Sequence, residues 1–391
     1  MNVYIEKTGC TRRKLDVTKL QAYFEMNGYR VSSDPEGADY ILVSTCALKS
    51  EEEDNSLQLL DSYRECKGKV LVYGCLPVIA PTRYKSNFDF DFISPADINN
   101  VDLYFRHITH RFAEMADANV IKGAGEDSEG PAALRYVRDK YLGKRPAYHL
   151  FVSRGCLGRC SYCAARFAIG PLQSKPVEVV VEEFNRGIEA GYRDFIIIGD
   201  DVGAYGIDRG EDFPQLLASL LAETGRNRPG PASNAKNTIA LHIDEFHPRW
   251  VVKYRREMAG LLESRNVASL VCPIQSGSDR VLDLMQRDHD MGSALAALGD
   301  LHAANRTIKI NSKVMVGFPS EGESDFAETL DKVGSLPLSA VTIISYEEKE
   351  NTPACSIQPK IPGPVVEERV RAAQDFFRHN GIKSIVSCCG F

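Results

Sequence analysis

The chain has 391 residues, of which 43% are hydrophobic and 26% are charged, and it carries a net charge of −6. A chain of this length accommodates about two or three domains with ordinary globular cores. The acidic balance argues against binding to nucleic acid through overall charge. No apolar run approaches the roughly 20 residues of a membrane helix, and the N-terminus lacks the pattern of a signal peptide. We therefore expect a cytoplasmic protein with no membrane partner.

The first part of the chain alternates apolar strand patterns with helical patterns. The predicted strands cover residues 3–6, 40–43 and 69–73, and the predicted helices cover residues 15–27 and 50–64. Strands that are apolar throughout are typical of a parallel sheet covered by helices on both faces. We therefore predict an N-terminal open parallel α/β sheet domain over residues 1–125.

A cysteine follows each of these three strands within a few residues, at Cys10, Cys46 and Cys75. The carboxyl ends of parallel strands line one crevice of an open sheet, so these thiols can converge although they are distant in sequence. Coincidence is the alternative explanation, but the shared position favours a common ligand set. Cys66 lies at a predicted helix end outside this pattern, and we interpret it as structural.

A glycine-rich acidic stretch at residues 123–131 has no hydrophobic period, and we assign residues 126–146 to a linker. Strand and helix patterns then alternate over residues 147–375. The predicted strands cover residues 148–152, 195–198, 239–243, 269–273, 308–316 and 341–346. The predicted helices cover residues 177–190, 213–223, 250–263, 292–304, 323–333 and 367–378. Right-handed crossovers in this series predict a partial (β/α)6 TIM-like barrel with ligands at the carboxyl ends of its strands, followed by a tail at 376–391.

The first barrel strand leads into a loop with three cysteines in C-x₃-C-x₂-C spacing, Cys156, Cys160 and Cys163. In a chain without a signal peptide such cysteines are typical of metal or redox ligands rather than disulfides. Three thiolates are one ligand short of closing a zinc or iron–sulfur site, so a metal position stays open for a substrate or cofactor. A zinc knuckle with a distant fourth ligand, or a loop without metal, is the alternative.

Motifs in both halves of the chain resemble those of a known family. They are TGC (8–10), ADYILVSTC (38–46), YGCLP (73–77), RGCLGRCSYC (154–163), SKP (174–176), GDDVGAYGID (199–208), HP (247–248), PIQSGSDRVLDLMQR (273–287), VGFPSEGESDF (316–326) and NTPA (351–354). In this order they resemble the radical S-adenosylmethionine (SAM) methylthiotransferases over about residues 1–375, which identifies the barrel as a radical SAM barrel.

The resemblance implies SAM and two [4Fe-4S] clusters as cofactors. Cys156, Cys160 and Cys163 would hold the cluster that binds SAM, and Cys10, Cys46 and Cys75 would hold an auxiliary cluster. Reductive cleavage of SAM would yield a 5′-deoxyadenosyl radical that abstracts hydrogen from an unactivated C–H bond. A sulfur species on the auxiliary cluster, methylated by a second SAM, would then complete a C–S–CH₃ group. An electron donor such as flavodoxin or ferredoxin is an implied partner.

Residues near the predicted strand ends are expected to bind SAM. They are Tyr162, Gly199, Asp200, Asp201, Gln275, Ser276, Gly317 and Phe318. Each also has a structural explanation, such as a helix-capping aspartate, a helix N-cap at residues 275–278 or a strand-terminating turn at residues 317–319. We assign no catalytic side chain beyond the cluster ligands.

Three departures from the family pattern bear on the substrate. A short segment follows the last predicted helix, so we expect this sequence to lack the TRAM domain with which familiar members bind RNA or a protein. His242, Lys313 and Arg13 stand where arginine, aspartate and asparagine are common, which indicates a reshaped pocket. The tail carries Cys388 and Cys389, which can either reach the auxiliary cluster or remain inert.

These features predict a methylthiotransferase that acts on a peptide or small molecule of a specialised pathway. A tRNA substrate is less favoured, because the overall charge is acidic and an RNA-binding module is not expected. Two alternatives remain open within the family, a tRNA-adenosine methylthiotransferase without TRAM and an enzyme that inserts sulfur without methylation. A non-catalytic zinc-binding protein is the alternative from another class.

Overall fold

The computed structural model describes residues 1–121, 146–226 and 238–387. Nearly all of the predicted linker lies outside these residues, as do Cys388 and Cys389. The described chain forms two sheets of mainly parallel strands flanked by helices, so the predicted fold class is confirmed. None of the described helices is both long and apolar enough to cross a membrane.

The N-terminal sheet is entirely parallel, in the order β2-β1-β3-β4-β5. Its strands are β1 (Asn2–Glu6), β2 (Arg30–Ser32), β3 (Tyr40–Thr45), β4 (Lys69–Gly74) and β5 (Asp91–Ile93). Sequence patterns predicted β1, β3 and β4. The edge strands β2 and β5 were missed because each has 3 residues, too few to display a period. The α-helices here are Thr11–Met26, Ser50–Ser62, Leu76–Ile79 and Pro81–Asn87, and 3₁₀ turns cover Pro95–Leu103 and Phe112–Glu114.

The helix Thr11–Met26 begins before its predicted start, with Cys10 at its N-cap. Its apolar residues face two directions. Leu20 and Phe24 pack on the N-terminal sheet, whereas Leu15 packs against Phe151 and Ile198 of the second domain. Because both sides of the helix are covered, the charged residues Arg13 and Asp16 near its start are buried.

The second sheet follows the order β13-β12-β11-β10-β9-β8-β6-β7. Its strands are β6 (Tyr148–Arg154), β7 (Gln173–Ser174), β8 (Asp194–Gly199), β9 (Ala240–Ile243), β10 (Val267–Gln275), β11 (Lys309–Val316), β12 (Leu338–Ser345) and β13 (Lys383–Val386). Among the strands in the described part of the chain, only β7 pairs with its neighbour, β6, in the antiparallel direction. The predicted barrel strands correspond to β6 and β8 to β12. The additional strand β13 pairs with β12 within the segment predicted as a tail.

Helices accompany this partial barrel; the short helix Ala165–Ile169 packs against the N-terminal domain, and longer helices cover the outer face of the strands. The helices are Ala165–Ile169, Val177–Glu189, Phe213–Arg226, Pro248–Lys253, Arg255–Leu262, Asp279–Leu284, Met291–Ala304, Glu323–Gly334 and Gly363–His379, with 3₁₀ turns at Val202–Ala204, Ile207–Arg209 and Pro353–Ser356. Alternate strand residues such as Leu150, Ile197 and Ile310 are fully buried against them. The other strand face therefore lines the barrel interior, and the strand ends open towards the N-terminal domain.

Candidate functional site

The first cysteine set, Cys156, Cys160 and Cys163, lies in the loop that follows β6. The backbone N–H of Gly158 donates a hydrogen bond of 3.1 Å to Cys156 Sγ, which favours the thiolate form. A Cβ at position 158 would lie 3.1 Å from the same sulfur, so glycine permits this close approach. Burial raises the pKa of Cys163 to about 11, and the nearby Cys160 thiol adds to the shift. Each of these thiols makes ionisation of its neighbour less favourable. A positively charged metal centre would reverse this effect and stabilise the thiolates.

The second set, Cys10, Cys46 and Cys75, follows the neighbouring strands β1, β3 and β4. The sheet order reverses between β1 and β3, so a crevice opens at the carboxyl ends of these strands. Burial raises the pKa of Cys75 to about 12 and also raises the pKa of Cys46, and the charge of Cys10 adds to both shifts. The thiols therefore lie within electrostatic reach of one another. Their role as metal ligands remains a prediction.

Local backbone contacts hold two of these cysteines in place. Gly74, directly before Cys75, has a left-handed φ of +132°, and a Cβ there would lie 2.3 Å from the Thr45 carbonyl oxygen. Only glycine satisfies both conditions. The N–H of Cys46 donates to Ser56 Oγ at 3.0 Å, and the Ser56 hydroxyl donates back to the Cys46 carbonyl at 2.8 Å.

The donor chemistry of both sets fits an iron–sulfur cluster. Within residues 1–121, 146–226 and 238–387, no group of three His, Cys, Asp or Glu side chains is arranged around a single-ion position. A cubane cluster binds each thiolate through a different iron, so its ligands stand further apart than those of one zinc ion. Three thiolates in each set match the protein ligands of such a cluster and leave an iron for another group.

A cavity lies where the barrel strand ends face the N-terminal domain. From the N-terminal domain it is lined by Arg12, Leu48 and Lys49, and from the barrel loop by all three cysteines of the first set. Both domains therefore contribute to one wall, and the cavity lies directly beside the first set.

Asp200, at the end of β8, contacts the segments that carry both cysteine sets. Its Oδ1 lies 3.1 Å from Arg12 Nε, and its Oδ2 accepts a hydrogen bond of 2.9 Å from the N–H of Gly155. Arg12 also donates to the carbonyl of Gly199 at 3.2 Å. Arg12 is two residues from Cys10, and Gly155 directly precedes Cys156. The carboxylate of Asp200 therefore links the two sets.

The neighbouring Asp201 fixes the cysteine loop to the barrel. Its carboxylate accepts hydrogen bonds from Arg249 Nη2 at 2.6 Å and from Trp250 Nε1 at 2.8 Å. Cys156 Sγ lies 3.5 Å from the same carboxylate. The side chain is nearly fully buried. The Asp201 carboxylate is thus engaged by protein groups.

Four of the residues predicted to bind SAM line the cavity, namely Tyr162, Asp200, Asp201 and Gln275. Gln275 is 4% exposed and has a left-handed φ of 77°. Its Oε1 is a buried acceptor without a hydrogen-bond partner in the described part of the chain. A buried acceptor at a strained position is typical of a ligand contact.

The other four residues predicted to bind SAM do not line the cavity. They are Gly199, Ser276, Gly317 and Phe318. Gly199 accepts the hydrogen bond from Arg12, and Ser276 is fully buried, with its hydroxyl 3.2 Å from that of Thr329. A Cβ at Gly317 would lie 2.5 Å from a Val366 methyl carbon. The Phe318 ring packs edge-on against the rings of Tyr162 and Tyr346. These contacts give each of the four a structural role.

The three residues that depart from the family pattern, Lys313, His242 and Arg13, lie in different environments. Lys313 forms an ion pair with Glu245, which lines the cavity. Burial opposes ionisation of Glu245, but the charges of Lys313 and Arg12 and a hydrogen bond from Lys313 together outweigh burial and lower the pKa of Glu245. His242 contacts Ser269 at 2.8 Å and Asp194 at 3.5 Å inside the barrel. Arg13 pairs with Asp16 at 3.3 Å on the first helix. Lys313 is therefore the departure most closely connected to the cavity.

Sequence reasoning missed Arg287, which also lines the cavity. Its Nη1 donates to the Tyr162 hydroxyl at 3.0 Å and lies 3.8 Å from Cys160 Sγ. The residue follows the helix Asp279–Leu284, and neither spacing nor neighbouring charges in the sequence distinguish it from a surface arginine. Only the folded chain places it beside the cysteine loop.

Two family models match the chain. Residues 150–333 match the radical SAM superfamily, and residues 2–94 match a family described as "Uncharacterized protein family UPF0004". Among solved structures, the radical SAM methyltransferase TsrM from Kitasatospora setae superposes with a TM-score of 0.63 at 13% identity, covering 90% of this chain and 73% of that one. The cobalamin-dependent enzyme OxsB superposes with a TM-score of 0.57 at 12% identity, covering 97% of this chain and 56% of that one. These structures support the fold alone.

Curated relatives match nearly the whole chain. A probable threonylcarbamoyladenosine tRNA methylthiotransferase of Archaeoglobus fulgidus is 26% identical over 98% of this chain and 85% of its own length. The ribosomal protein uS12 methylthiotransferase RimO of Chlamydia pneumoniae is 27% identical over 97% of this chain and 77% of its own length. The chain spans 66% of the zebrafish tRNA methylthiotransferase, at 26% identity.

The partial barrel, its cysteine loop and the superfamily match define a radical SAM enzyme. The match over the N-terminal domain and the curated relatives narrow this class. The chain belongs to the radical SAM methylthiotransferase family, which uses SAM and two [4Fe-4S] clusters.

Proposed function

We propose that the protein converts an unactivated C–H bond of a peptide or small molecule into a C–S–CH₃ group. One observation carries this proposal. The Asp200 carboxylate contacts Arg12, beside Cys10, and Gly155, beside Cys156. Hydrogen abstraction and sulfur transfer at one carbon need both centres near the same substrate, and this contact supports that proximity.

The six cysteines described above are the proposed ligands. Cys156, Cys160 and Cys163 would hold the cluster that binds SAM, and Cys10, Cys46 and Cys75 would hold the auxiliary cluster. When bound, these groups and SAM supply the hydrogen abstraction, the sulfur and the methyl group. The chain contributes the N–H of Gly158, which favours the Cys156 thiolate, and the unpartnered Oε1 of Gln275, which suits the ammonium group of SAM.

Two ion pairs between the domains close the cavity on the side of β12. Lys49 of the N-terminal domain lies 3.3 Å from Glu347 of the barrel, and Lys349 of the barrel lies 2.9 Å from Glu53 of the N-terminal domain. Lys49 also donates to the Ser345 carbonyl at 2.9 Å. These contacts help exclude water, which protects reactive intermediates from side reactions.

The charges of the cavity wall support a substrate without a phosphate backbone. Arg12 pairs with Asp200, Lys49 with Glu347 and Lys349 with Glu53, so three of the four lysine and arginine side chains of the wall already have acidic partners. The fourth, Arg287, is 7% exposed and lies against the cysteine loop. Nucleic-acid sites instead present lysine and arginine side chains to phosphates, and the chain as a whole carries a net charge of −6. We propose a flavodoxin- or ferredoxin-like electron donor and a cytoplasmic location, where a reducing environment preserves such clusters.

A tRNA substrate is the second candidate. It is favoured by the curated relatives, several of which are named as threonylcarbamoyladenosine tRNA methylthiotransferases. Mass spectrometry of digested tRNA after an anaerobic reaction tests this alternative. If a methylthio-nucleoside is found and tRNA binding is sensitive to salt, tRNA is the substrate and the peptide or small-molecule proposal is wrong.

Cysteine replacement tests the reaction itself. A variant with alanine at Cys10, Cys46 and Cys75 should retain about half of the iron and still form 5′-deoxyadenosine, but it should release no methylthio product. A variant with alanine at Cys156, Cys160 and Cys163 should lose both reactions. The matched control is Cys66→Ala, since Cys66 packs at the edge of the N-terminal core. An undiminished iron content in the variant with alanine at Cys10, Cys46 and Cys75 would overturn the assignment of the auxiliary site.

A further inference from the structure

We infer that Arg287 is the counter-charge of the cluster at Cys156, Cys160 and Cys163 and makes that cluster easier to reduce. The inference rests on the proposed function, because it requires a cluster at these cysteines. It assigns to a single side chain a redox role that is separate from binding the metal.

The guanidinium group of Arg287 lies against the cysteine loop. The residue is 7% exposed, and its Nη1 lies 3.8 Å from Cys160 Sγ and 3.0 Å from the Tyr162 hydroxyl. Its Nη2 donates to the carbonyl of Pro273. These contacts fix the plane of the group, so its charge is held at one position beside the first cysteine set.

The described hydrogen-bond partners of Arg287 include no carboxylate. They are a hydroxyl group, a carbonyl group and a thiol, and Nε is buried without a partner in the described chain. The other lysine and arginine side chains of the cavity wall each form an ion pair with an acid: Arg12 pairs with Asp200, Lys49 with Glu347 and Lys349 with Glu53. The charge of Arg287 contributes to the lowered pKa of Glu245, but the ion-pair partner of Glu245 is Lys313.

A buried cation without an acidic partner is unfavourable, and a negative group normally compensates it. Two histidines near Arg287 do not provide that charge. Burial first, and then the charge of Arg287, lowers the pKa of His289 to about 3 and also lowers the pKa of His247, so both rings are neutral. Among the groups in direct contact with Arg287, the Cys160 sulfur, with the cluster it would hold, is the one that can supply that negative charge.

Reduction of the cluster adds one electron from an external one-electron donor, and no bond is made or broken in that step. The added negative charge is stabilised by a fixed positive charge nearby, most strongly where water is excluded. Arginine keeps its proton at every accessible pH, so this contribution persists across the working range. Replacement of Arg287 by a neutral residue should therefore lower the reduction potential.

A redox titration followed by electron paramagnetic resonance tests the inference. Full-length protein with alanine at Cys10, Cys46 and Cys75 isolates the signal of the SAM-binding cluster. In that background Arg287→Met should shift the midpoint to lower potential, and Arg287→Lys should retain most of the wild-type value. Arg280→Met is the matched control, because Arg280 pairs with Asp325 near the same helix and is half exposed. Its midpoint should be unchanged.

An unchanged midpoint in Arg287→Met, at equal iron content, overturns the inference. Equal shifts in Arg287→Lys and Arg287→Met overturn it as well, since charge would then not be the cause. If Arg287→Met fails to hold iron, the midpoint potentials of Arg287→Gln and Arg287→Lys provide the same comparison between a neutral and a charged replacement. Wild-type protein that forms no cluster at Cys156, Cys160 and Cys163 would refute the proposed function instead, so the two failures are distinguishable.

Discussion

Arg12 and Asp200 form a 3.1 Å ion pair that joins the first helix of the N-terminal domain to the end of β8. Both side chains are largely buried, at 16% and 5% exposure. Asp200 also accepts the N–H of Gly155, so one side chain orders the backbone before Cys156 and contacts the helix after Cys10. We expect this pair to set the separation of the two cysteine sets.

Asp200→Asn should loosen this link without removing every contact. The amide oxygen of asparagine can still accept the Gly155 hydrogen bond, but it offers Arg12 no negative charge. Hydrogen exchange of the amides at residues 10–14 should become about tenfold faster, as expected for loss of a charge-assisted interaction of about 1.5 kcal/mol. Exchange mass spectrometry measures this directly, and a smaller change is expected at residues 154–157.

The control for this variant is Asp300→Asn. Asp300 pairs with Arg255 at 2.6 Å on the barrel exterior, where both side chains are about half exposed. Exposed pairs contribute only about 0–1 kcal/mol, so exchange at residues 10–14 should not change. Equal exchange in Asp200→Asn and wild type would show that the ion pair does not hold the helix.

Gly74→Ala should destabilise the protein and disturb the second cysteine set. The substitution places a methyl group against the Thr45 carbonyl oxygen at a left-handed φ, directly before Cys75. We expect a loss of about 2 kcal/mol or more in the free energy of unfolding and a loss of about half of the iron. Urea denaturation and iron analysis measure the two effects.

Gly28→Ala separates backbone strain from steric overlap. Gly28 has a left-handed φ of +75°, but a Cβ there would meet nothing within 4 Å. The expected cost is about 1 kcal/mol, with full iron content. An iron content in Gly74→Ala equal to that of Gly28→Ala would contradict the proposed position of Cys75 in a ligand set.

Lys349→Met should weaken the contact between the domains. Lys349 and Glu53 are both nearly fully buried and lie 2.9 Å apart, so removal of the cation leaves Glu53 with Arg83 alone. A loss of about 3 kcal/mol is expected in urea denaturation. Lys332→Met, which removes an exposed pair with Glu328, should cost less than about 1 kcal/mol. Similar losses in the two variants would contradict a structural role for the buried pair.

Glu321 should make stability depend on pH. Burial raises its pKa to about 7, although Gly317 and Arg369 donate hydrogen bonds to its carboxylate. The folded chain therefore binds this proton more tightly than the unfolded chain, whose glutamate has the ordinary value of 4.5. Between these two values stability should fall as pH rises, by about 3 kcal/mol in all.

Glu321→Gln should flatten this part of the stability profile, measured by urea denaturation at a series of pH values. Glu323→Gln is the matched control, because Glu323 also pairs with Arg369 but is 80% exposed. It should leave the slope unchanged. A wild-type profile that is already flat between pH 4.5 and about 7 would refute the elevated pKa of Glu321.

Sequence patterns predicted the elements that position the cysteines. The apolar runs of β1, β3 and β4 are long enough to identify, and each ends shortly before Cys10, Cys46 or Cys75. The barrel strands were predicted for the same reason, since β6 and β8 to β12 carry continuous apolar segments. The strands that were missed are short edge strands, whose pairing depends on a neighbour rather than on their own sequence.

Contacts between the domains could not be predicted from local patterns. Arg12 pairs with Asp200, which is 188 positions further along the chain. Lys49 likewise contacts a distant residue of the barrel, the carbonyl of Ser345. Charged residues in a helical first turn normally indicate a solvated face, and only the second domain buries them. Arg287 was missed for a related reason, because its sequence neighbourhood carries no sign of the cysteine loop that covers it.

The two ion pairs beside β12 are reciprocal. The N-terminal domain supplies the cation Lys49 and the acid Glu53, and the barrel supplies the acid Glu347 and the cation Lys349. A chimera that grafts either half onto a relative would therefore bring together unmatched charges unless the complementary pair travels with it. A functional chimera therefore requires matched charges at these four positions, independently of any requirement imposed by the cysteines.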